Sequence, residues 1–479
     1  MTTATTLKPS KLRIRAYQVG FGDCFLLTFF YPQAKKQTDK ERHVLMDFGS
    51  TGMTKGVSSS EQMMKVAEDI REQCNKKSRK LHIVVATHRH KDHISGFATA
   101  DGEGTGDIIA ALGPDVVIQP WTEEAEAQDP ILKDKGKKGA TAAKQLVEGQ
   151  ADSATAKSLN ALHLASLHDM HQISESMKAE VKHLRDKSKF RQQLDKSVTE
   201  QIEFLANDND LPNRSAVINL AKMGSKNHYV KHGYPLNLLR QLPGVKVHVL
   251  GPPDLEQHAK ILKQRATDED EFWMLQAAAQ QFWGLQAATG GLIQDFAANE
   301  SRLFPDAKVF RNSPSHDRWF IRQLRAMRGK QMLGLVRILD KAMNNTSLIL
   351  LFEVGNKKLL FPGDAQIENW EYALKRDKKA DLPLLKGVNL YKVGHHGSRN
   401  ATPKTLWDNF EHKGEDGKAQ RLKTVVSTMR GKHGHEESHT EVPRETLVEA
   451  LSEESDYHTT EEAAERHELY IDLEITFGK

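Results

Sequence analysis

Residues His88-Arg89-His90-Lys91-Asp92-His93 come directly after the apolar run Leu81-His82-Ile83-Val84-Val85-Ala86. Four potential metal ligands thus fall within six residues, all neutral or anionic, which suits one or two transition-metal ions better than any packing role. The stretch Ile83 to Ala86 is continuous and rich in β-branched residues. It therefore reads as a strand buried on both faces that delivers the His88 segment to a sheet edge. In a locally extended chain His88 and His90 point to the same side and can reach one ion, while a turn through Lys91 swings Asp92 and His93 toward a second position. Two ions roughly 3.5–4 Å apart would clamp the oxygens of a displacement. The competing interpretation is a surface histidine cluster that binds nothing, which this spacing after a buried strand disfavours.

Four further stretches carry acidic or histidine residues at strand ends: Gly20-Phe21-Gly22-Asp23, Met46-Asp47-Phe48-Gly49, Phe361-Pro362-Gly363-Asp364-Ala365 and Val393-Gly394-His395-His396-Gly397-Ser398. With the His88 cluster, this order resembles the HxHxDH superfamily of metallo-β-lactamase-fold hydrolases, in particular the hydrolase domain of ComEC-like DNA-uptake proteins. The resemblance covers about residues 11–120, 211–254 and 335–479. It implies an α/β fold, an αββα β-sandwich of the metallo-β-lactamase type, here with two mainly helical insertions. It also implies that His88 and His90 bind a first metal, that Asp92 and His93 bind a second, and that Asp364 bridges them. His395, the first residue after the strand Leu390-Tyr391-Lys392-Val393 and its glycine, is the expected last ligand of the second site. His396 is then expected nearby as a proton donor or substrate contact. The cofactors implied are two divalent metal ions, Zn or Mn.

One departure stands out. Many superfamily members supply a third histidine to the first metal just upstream of the bridging aspartate's strand, where this chain has Asn344-Asn345-Thr346-Ser347. An amide oxygen is a poor substitute for imidazole on zinc, so that ion is expected to bind more weakly or to be a harder one such as Mn²⁺. Asp23 and Asp47 sit in glycine-containing turns beside apolar strands, where each could orient a ligating imidazole or serve simply as a turn residue. Asp364 after Gly363 admits the same plain turn interpretation. A last cluster, His433-Gly434-His435 through His439, comes after Thr424-Val425-Val426-Ser427. ComEC-like proteins carry a Gly-His-Pro turn in a similar place, and His439 is its best match as a catalytic or site-lining residue.

Composition bounds the rest. The chain has 479 residues, 38% of them hydrophobic, and a net charge of +4. That length predicts one large core with insertions or two to three modules. No apolar run of about 18 residues occurs and Met1 to Lys11 lacks an apolar stretch, so neither a membrane span nor a secretory signal is expected. Two cysteines, Cys24 and Cys74, without metal-like spacing fit a reducing, cytoplasmic setting. The mildly basic balance neither demands nor excludes nucleic acid. Lysine-rich stretches at 76–80, 133–138 and 222–231 read as solvated surface or as a phosphate track toward the metals.

Along the chain, strands are predicted in 12–30, at 43–48, 81–87, 115–119, 215–220, 245–250, 347–354, 358–362, 390–393, 424–428 and 469–477. Helices are predicted at 59–74 and 443–452. The core is expected at 11–121, 211–254 and 335–479, interrupted by helical insertions at 122–210 and 255–334. His163, His168 and His171 on the first insertion read as surface residues, and Phe272, Trp273, Phe282 and Trp283 on the second as core or interface. The expected function is that of a metal-dependent phosphodiesterase or nuclease with Asp92, His396 and His439 in catalysis. Single-stranded or duplex nucleic acid is then a partner, as is a protein or second copy docked through the insertions. A hydrolase of lactone, ester or β-lactam bonds, or a non-enzymatic interaction protein with a structural metal site, are the alternatives.

Overall fold

The computed structural model describes residues 7–124, 214–258 and 344–478, apart from 54–55, 77–79, 255, 377–380, 399–401, 415–416, 418–419 and 434–440. The chain divides into two compact units, Met1–Ala165 with Leu211–Ile261 and Lys341–Lys479, and Ser166–Asp210 with Leu262–Asp340. Every described residue belongs to the first. The expected helical insertions, the lysines at 133–138, and His439 with His435 lie outside the described residues, apart from the insertions' margins.

The first unit is mixed α/β, with two sheets and several helices. Strands β1 (Lys11–Tyr17), β2 (Cys24–Phe30), β3 (Glu41–Phe48), β4 (Ile83–Val85), β5 (Val116–Pro120) and β6 (Lys226–Val230) lie in one sheet. Strands β7 (Lys246–Gly251), β8 (Ile349–Val354), β9 (Lys357–Phe361), β10 (Leu390–Lys392), β11 (Lys423–Val426) and β12 (Asp456–Thr459) form the second. The last strand, β13 (Tyr470–Thr476), returns to pair antiparallel with β1. Helices α1 (Ser59–Lys76), α2 (Lys91–Ile94), α3 (Thr105–Ala111), α4 (Arg214–Met223), α5 (Ile367–Glu371), α6 (Asp381–Lys386), α7 (Lys404–Asn409), α8 (Glu445–Glu454) and α9 (Glu461–Glu465) complete the order.

Strand alternation explains the layers. Ile83 and Val85 of β4 join a core shared by both sheets, with Ile14, Leu27 and Val44 on one side and Val247, Leu350 and Leu390 on the other. Val84 and Ala86 point the opposite way, into a second core with Val66 and Ile70 of α1, Ile109 of α3 and Leu220 of α4. A third core sets Leu351, Leu360 and Tyr391 against Trp370 of α5, Leu385 of α6, Trp407 of α7 and Leu451 of α8. Each central strand is thus buried on both faces, as its continuous apolar run requires.

The stretch 215–220, predicted as a strand, is part of helix α4. A short apolar run has no periodicity that separates strand from helix. Here Ala216 and Leu220, one helical turn apart, face the second core, and Asn219 donates through Nδ2 to the Phe97 and Gly106 carbonyls. Two strands escaped the sequence reading, β6 and β12. Both are polar edge strands, which pair on one side only and need little apolar sequence.

Burial lowers His43 on β3 and His82 just before β4 to about 3. The two are tied by His43 N–H donating to His82 Nδ1 at 3.1 Å. A histidine held neutral in the fold but free to protonate near its ordinary value when unfolded contributes stability that is full above about pH 6.5 and is lost progressively as pH falls toward about 3. Between those values the unfolded chain binds more protons, so stability rises with pH. At about pH 5 each such histidine is expected to cost about 2 kcal/mol relative to neutral pH. Urea unfolding at several pH values checks this, and His82→Gln should remove about half of that loss; an unchanged slope would contradict the assignment.

Candidate metal centre

The parallel strands of both sheets deliver their C-terminal ends to one rim, the usual place for a site in such sheets. Asp47 ends β3, His88 comes after β4, Asp364 after β9, His395 and His396 after β10, and Ser427 after β11. Asp23 stands just before β2, whose start lies beside the end of β3 through the Cys24–Phe48 pair. The loop after β4 runs extended to His90 and then coils into α2, so Asp92 and His93 fall on a single helical turn. Gly49 permits this approach, because a Cβ there would lie 2.4 Å from the Asp92 carbonyl carbon.

Among the described residues three groups of potential ligands have their donor atoms within 4.8 Å of one another: Asp92, His93, Asp364 and His396; His88, His90 and Asp92; and Asp23, Asp47 and His93. Asp92 links the first two, whereas Asp364, expected as the bridge, falls in one of them. His93 donates through Nδ1 to Asp47 Oδ2 at 2.8 Å and places Nε2 3.1 Å from Asp364 Oδ2. Asp47 also accepts from the Thr87 backbone N–H at 2.7 Å and the Thr87 hydroxyl at 2.8 Å. That one carboxylate therefore fixes both the root of the ligand loop and the tautomer of its last histidine. Asp23 accepts at its backbone carbonyl from Gly49 N–H (3.0 Å), and its own N–H donates to the Asp92 carbonyl (2.9 Å).

His396 stands where the sequence reading put His395. Its Nδ1–H donates to the Ser427 carbonyl at 2.9 Å, which leaves Nε2 facing Asp92 Oδ2 at 2.9 Å and Asp364 Oδ2 at 3.8 Å. His395 is only half buried, and its Nδ1 is hydrogen-bonded to the Ser398 hydroxyl at 2.8 Å. The cause is local: both residues have positive φ (44° and 53°), so the chain turns tightly and the two rings diverge to 6.3 Å between centroids. Position after the strand does not reveal which ring turns inward.

The electrostatics fit a cation. Four carboxylates, Asp23, Asp47, Asp92 and Asp364, are buried here with one lysine, Lys392, which is ion-paired with Asp23 and 3.9 Å from Asp364 Oδ1. Burial disfavours the charged form of Lys392, but Asp23 and Asp364 outweigh it and raise its pKa. In His93 burial is likewise outweighed by Asp364, Asp47 and Asp92, and in His396 by Asp364 and Asp92, so both rise. Burial would raise Asp92, yet His93 and His396 hold it well below the usual carboxylate range. A divalent cation would satisfy the same carboxylates in place of those protons. Asp92 Oδ1 has no hydrogen-bond partner, as expected of an atom available to an ion. His88 and His90 are kept neutral by burial, His90 at about 4, with His88 Nε2 3.0 Å from His90 Nδ1. Neutral imidazoles facing each other at that distance are the form that ligates.

Two contributors were not singled out from sequence. Lys392 had a signal, a charge inside an apolar strand. Phe21 had none: its ring lies 4.3 Å from that of His396 and 4.1 Å from that of His433. His433, lowered to about 3 by burial and by His396, lines the same edge. Of the lysine stretches, Lys80 pairs with Asp115 and Lys231 with Asp254. Among the described residues no helix is long and apolar enough to cross a membrane. Neither a scan against protein-family models nor a search of curated proteins finds a match to this chain.

Proposed function

We propose that the chain is a dinuclear metal-dependent hydrolase of the metallo-β-lactamase fold that cleaves phosphodiester bonds in nucleic acid or nucleotides. The observation that supports this reading is the sharing of Asp92 between two buried His/Asp groups, each of which could hold a cation. Bound divalent ions, Zn²⁺ or Mn²⁺, supply Lewis acidity toward phosphoryl oxygens and a lowered pKa for an attacking water. The chain's own part is orientation. Asp47 and the Ser427 carbonyl hold His93 and His396 with Nε2 inward, and Asp92 and Asp364 offset the cationic charge. His395, held at the rim by Ser398, takes the place of proton donor to the leaving oxygen, a role the sequence reading gave to His396 or His439. Buried free thiols at Cys24 and Cys74 accord with a cytoplasmic setting.

Metal analysis of the purified protein, followed by turnover of single-stranded DNA, RNA and bis(p-nitrophenyl) phosphate, tests the proposal. Cleavage that stops on chelation and returns with Mn²⁺ or Zn²⁺ is the expected result. Turnover of lactones or esters with phosphodiesters untouched would replace the substrate class, and a protein that takes up no ion would end the hydrolase reading.

A further inference from the structure

Asn344, Asn345 and Ser347 form the turn that enters β8. Ser347 N–H donates to the Asn344 carbonyl, and Leu348 N–H donates to the Thr87 carbonyl at 2.9 Å, which ties the turn to the residue directly before His88. From the other side Asn369 of α5 donates through Nδ2 to the Ser347 carbonyl at 2.8 Å. Asn344 is 0% exposed and Asn345 2%, and neither the oxygen nor the nitrogen of either amide has a hydrogen-bond partner. The Ser347 hydroxyl shares that condition.

A buried amide atom left without a partner costs about 1–3 kcal/mol. Four such atoms on adjacent residues, at a turn anchored beside a ligand histidine, are not a stable way to fill a core. They need a polar guest. Thr87, whose carbonyl holds the turn, directly precedes His88 of the three-residue group His88, His90 and Asp92. We infer that the Asn344-Asn345 turn supplies a carboxamide oxygen to the ion held by His88, His90 and Asp92. That half-site then offers two imidazoles and two oxygens, a harder set than a third imidazole would make, which shifts its preference from Zn²⁺ toward Mn²⁺. This rests on the metal-dependent reading above.

The test is Mn²⁺ binding to the full chain by calorimetry and electron paramagnetic resonance, with the melting temperature of the chelated protein measured alongside. The unaltered chain is expected to bind two Mn²⁺ with a spin-coupled spectrum. In the Asn344→Ala/Asn345→Ala variant one of the two sites should weaken by 10-fold or more and the coupled signal should give way to that of an isolated ion. The chelated variant should melt no lower than the unaltered chain, because the orphaned amides are gone. Unchanged affinity for both ions, with or without a lower melting temperature, would overturn the inference and make the amides structural. Should the double variant fail to fold, Asn345→Asp and Asn344→Asp serve instead. Tighter Mn²⁺ binding in one of them is the supporting outcome, and no change in either the opposing one. A chain that binds no Mn²⁺ or Zn²⁺ at all defeats the metal-dependent reading itself.

Discussion

His396→Ala is expected to cut phosphodiester cleavage by about 10³-fold or more and to reduce bound metal from two ions to one, since it removes an imidazole from the group built on Asp92, His93 and Asp364. His395→Ala, by contrast, should keep both ions and lose about 10²-fold in kcat, the scale of a missing proton donor. The contrast lies in how each ring is held. His396 has its Nδ1 tied to the Ser427 carbonyl and its Nε2 aimed at Asp92 and Asp364, whereas His395 is half buried and engaged by Ser398. Asp364→Ala should behave like His396→Ala, because its carboxylate faces His93 Nε2 at 3.1 Å. Metal content measured on each variant reads the result directly. Loss of an ion from His395→Ala with none lost from His396→Ala would reverse the assignment.

Lys392→Met should destabilise the chelated protein by about 3–5 kcal/mol, the cost of leaving one member of a buried ion pair alone. Lys392 lies on β10, buried, and its ammonium is the buried cation ion-paired with Asp23 beneath the ligand cluster. Without it Asp23 remains among Asp47, Asp92 and Asp364 with only the imidazoles of His93 and His396 to offset it. Adding Asp23→Asn should recover at least half of the loss, since the stranded charge is then gone. Divalent metal should also rescue the single variant more than it stabilises the unaltered chain, because the ions replace part of the missing charge. Urea unfolding in chelator and in metal measures all three. A single-variant loss below about 1 kcal/mol would show that the pair contributes little.

Much of the centre is local and therefore legible. His88, His90, Asp92 and His93 are spaced by one extended segment and one helical turn, and their convergence needs only a buried strand ahead of them. Asp47 and Asp23 are marked by glycines at strand ends, and the structure sets both against His93. The features that escaped depend on partners distant in sequence. The stretch 215–220 became helix because Asn219 finds two carbonyls more than a hundred residues upstream. The strands β6 and β12 are edges, where a neighbour supplies the pairing that the residues themselves do not advertise.

The amino-acid sequence alone sets the chemistry on offer at the rim: which imidazoles and carboxylates arrive there, and on which strands, because two-residue alternation and short turns act within a few residues. The roles of those groups come from tertiary contacts. His396 turns inward because a carbonyl just past the end of the next strand, 31 residues on, accepts from its Nδ1. Asp92 joins two ligand groups because Asp364 and His396 reach it from the other sheet. Lys392 is charged in the interior because Asp23, from the opposite end of the chain, is buried against it. Such choices depend on charge and hydrogen-bond balance across both sheets, and no segment carries that balance alone.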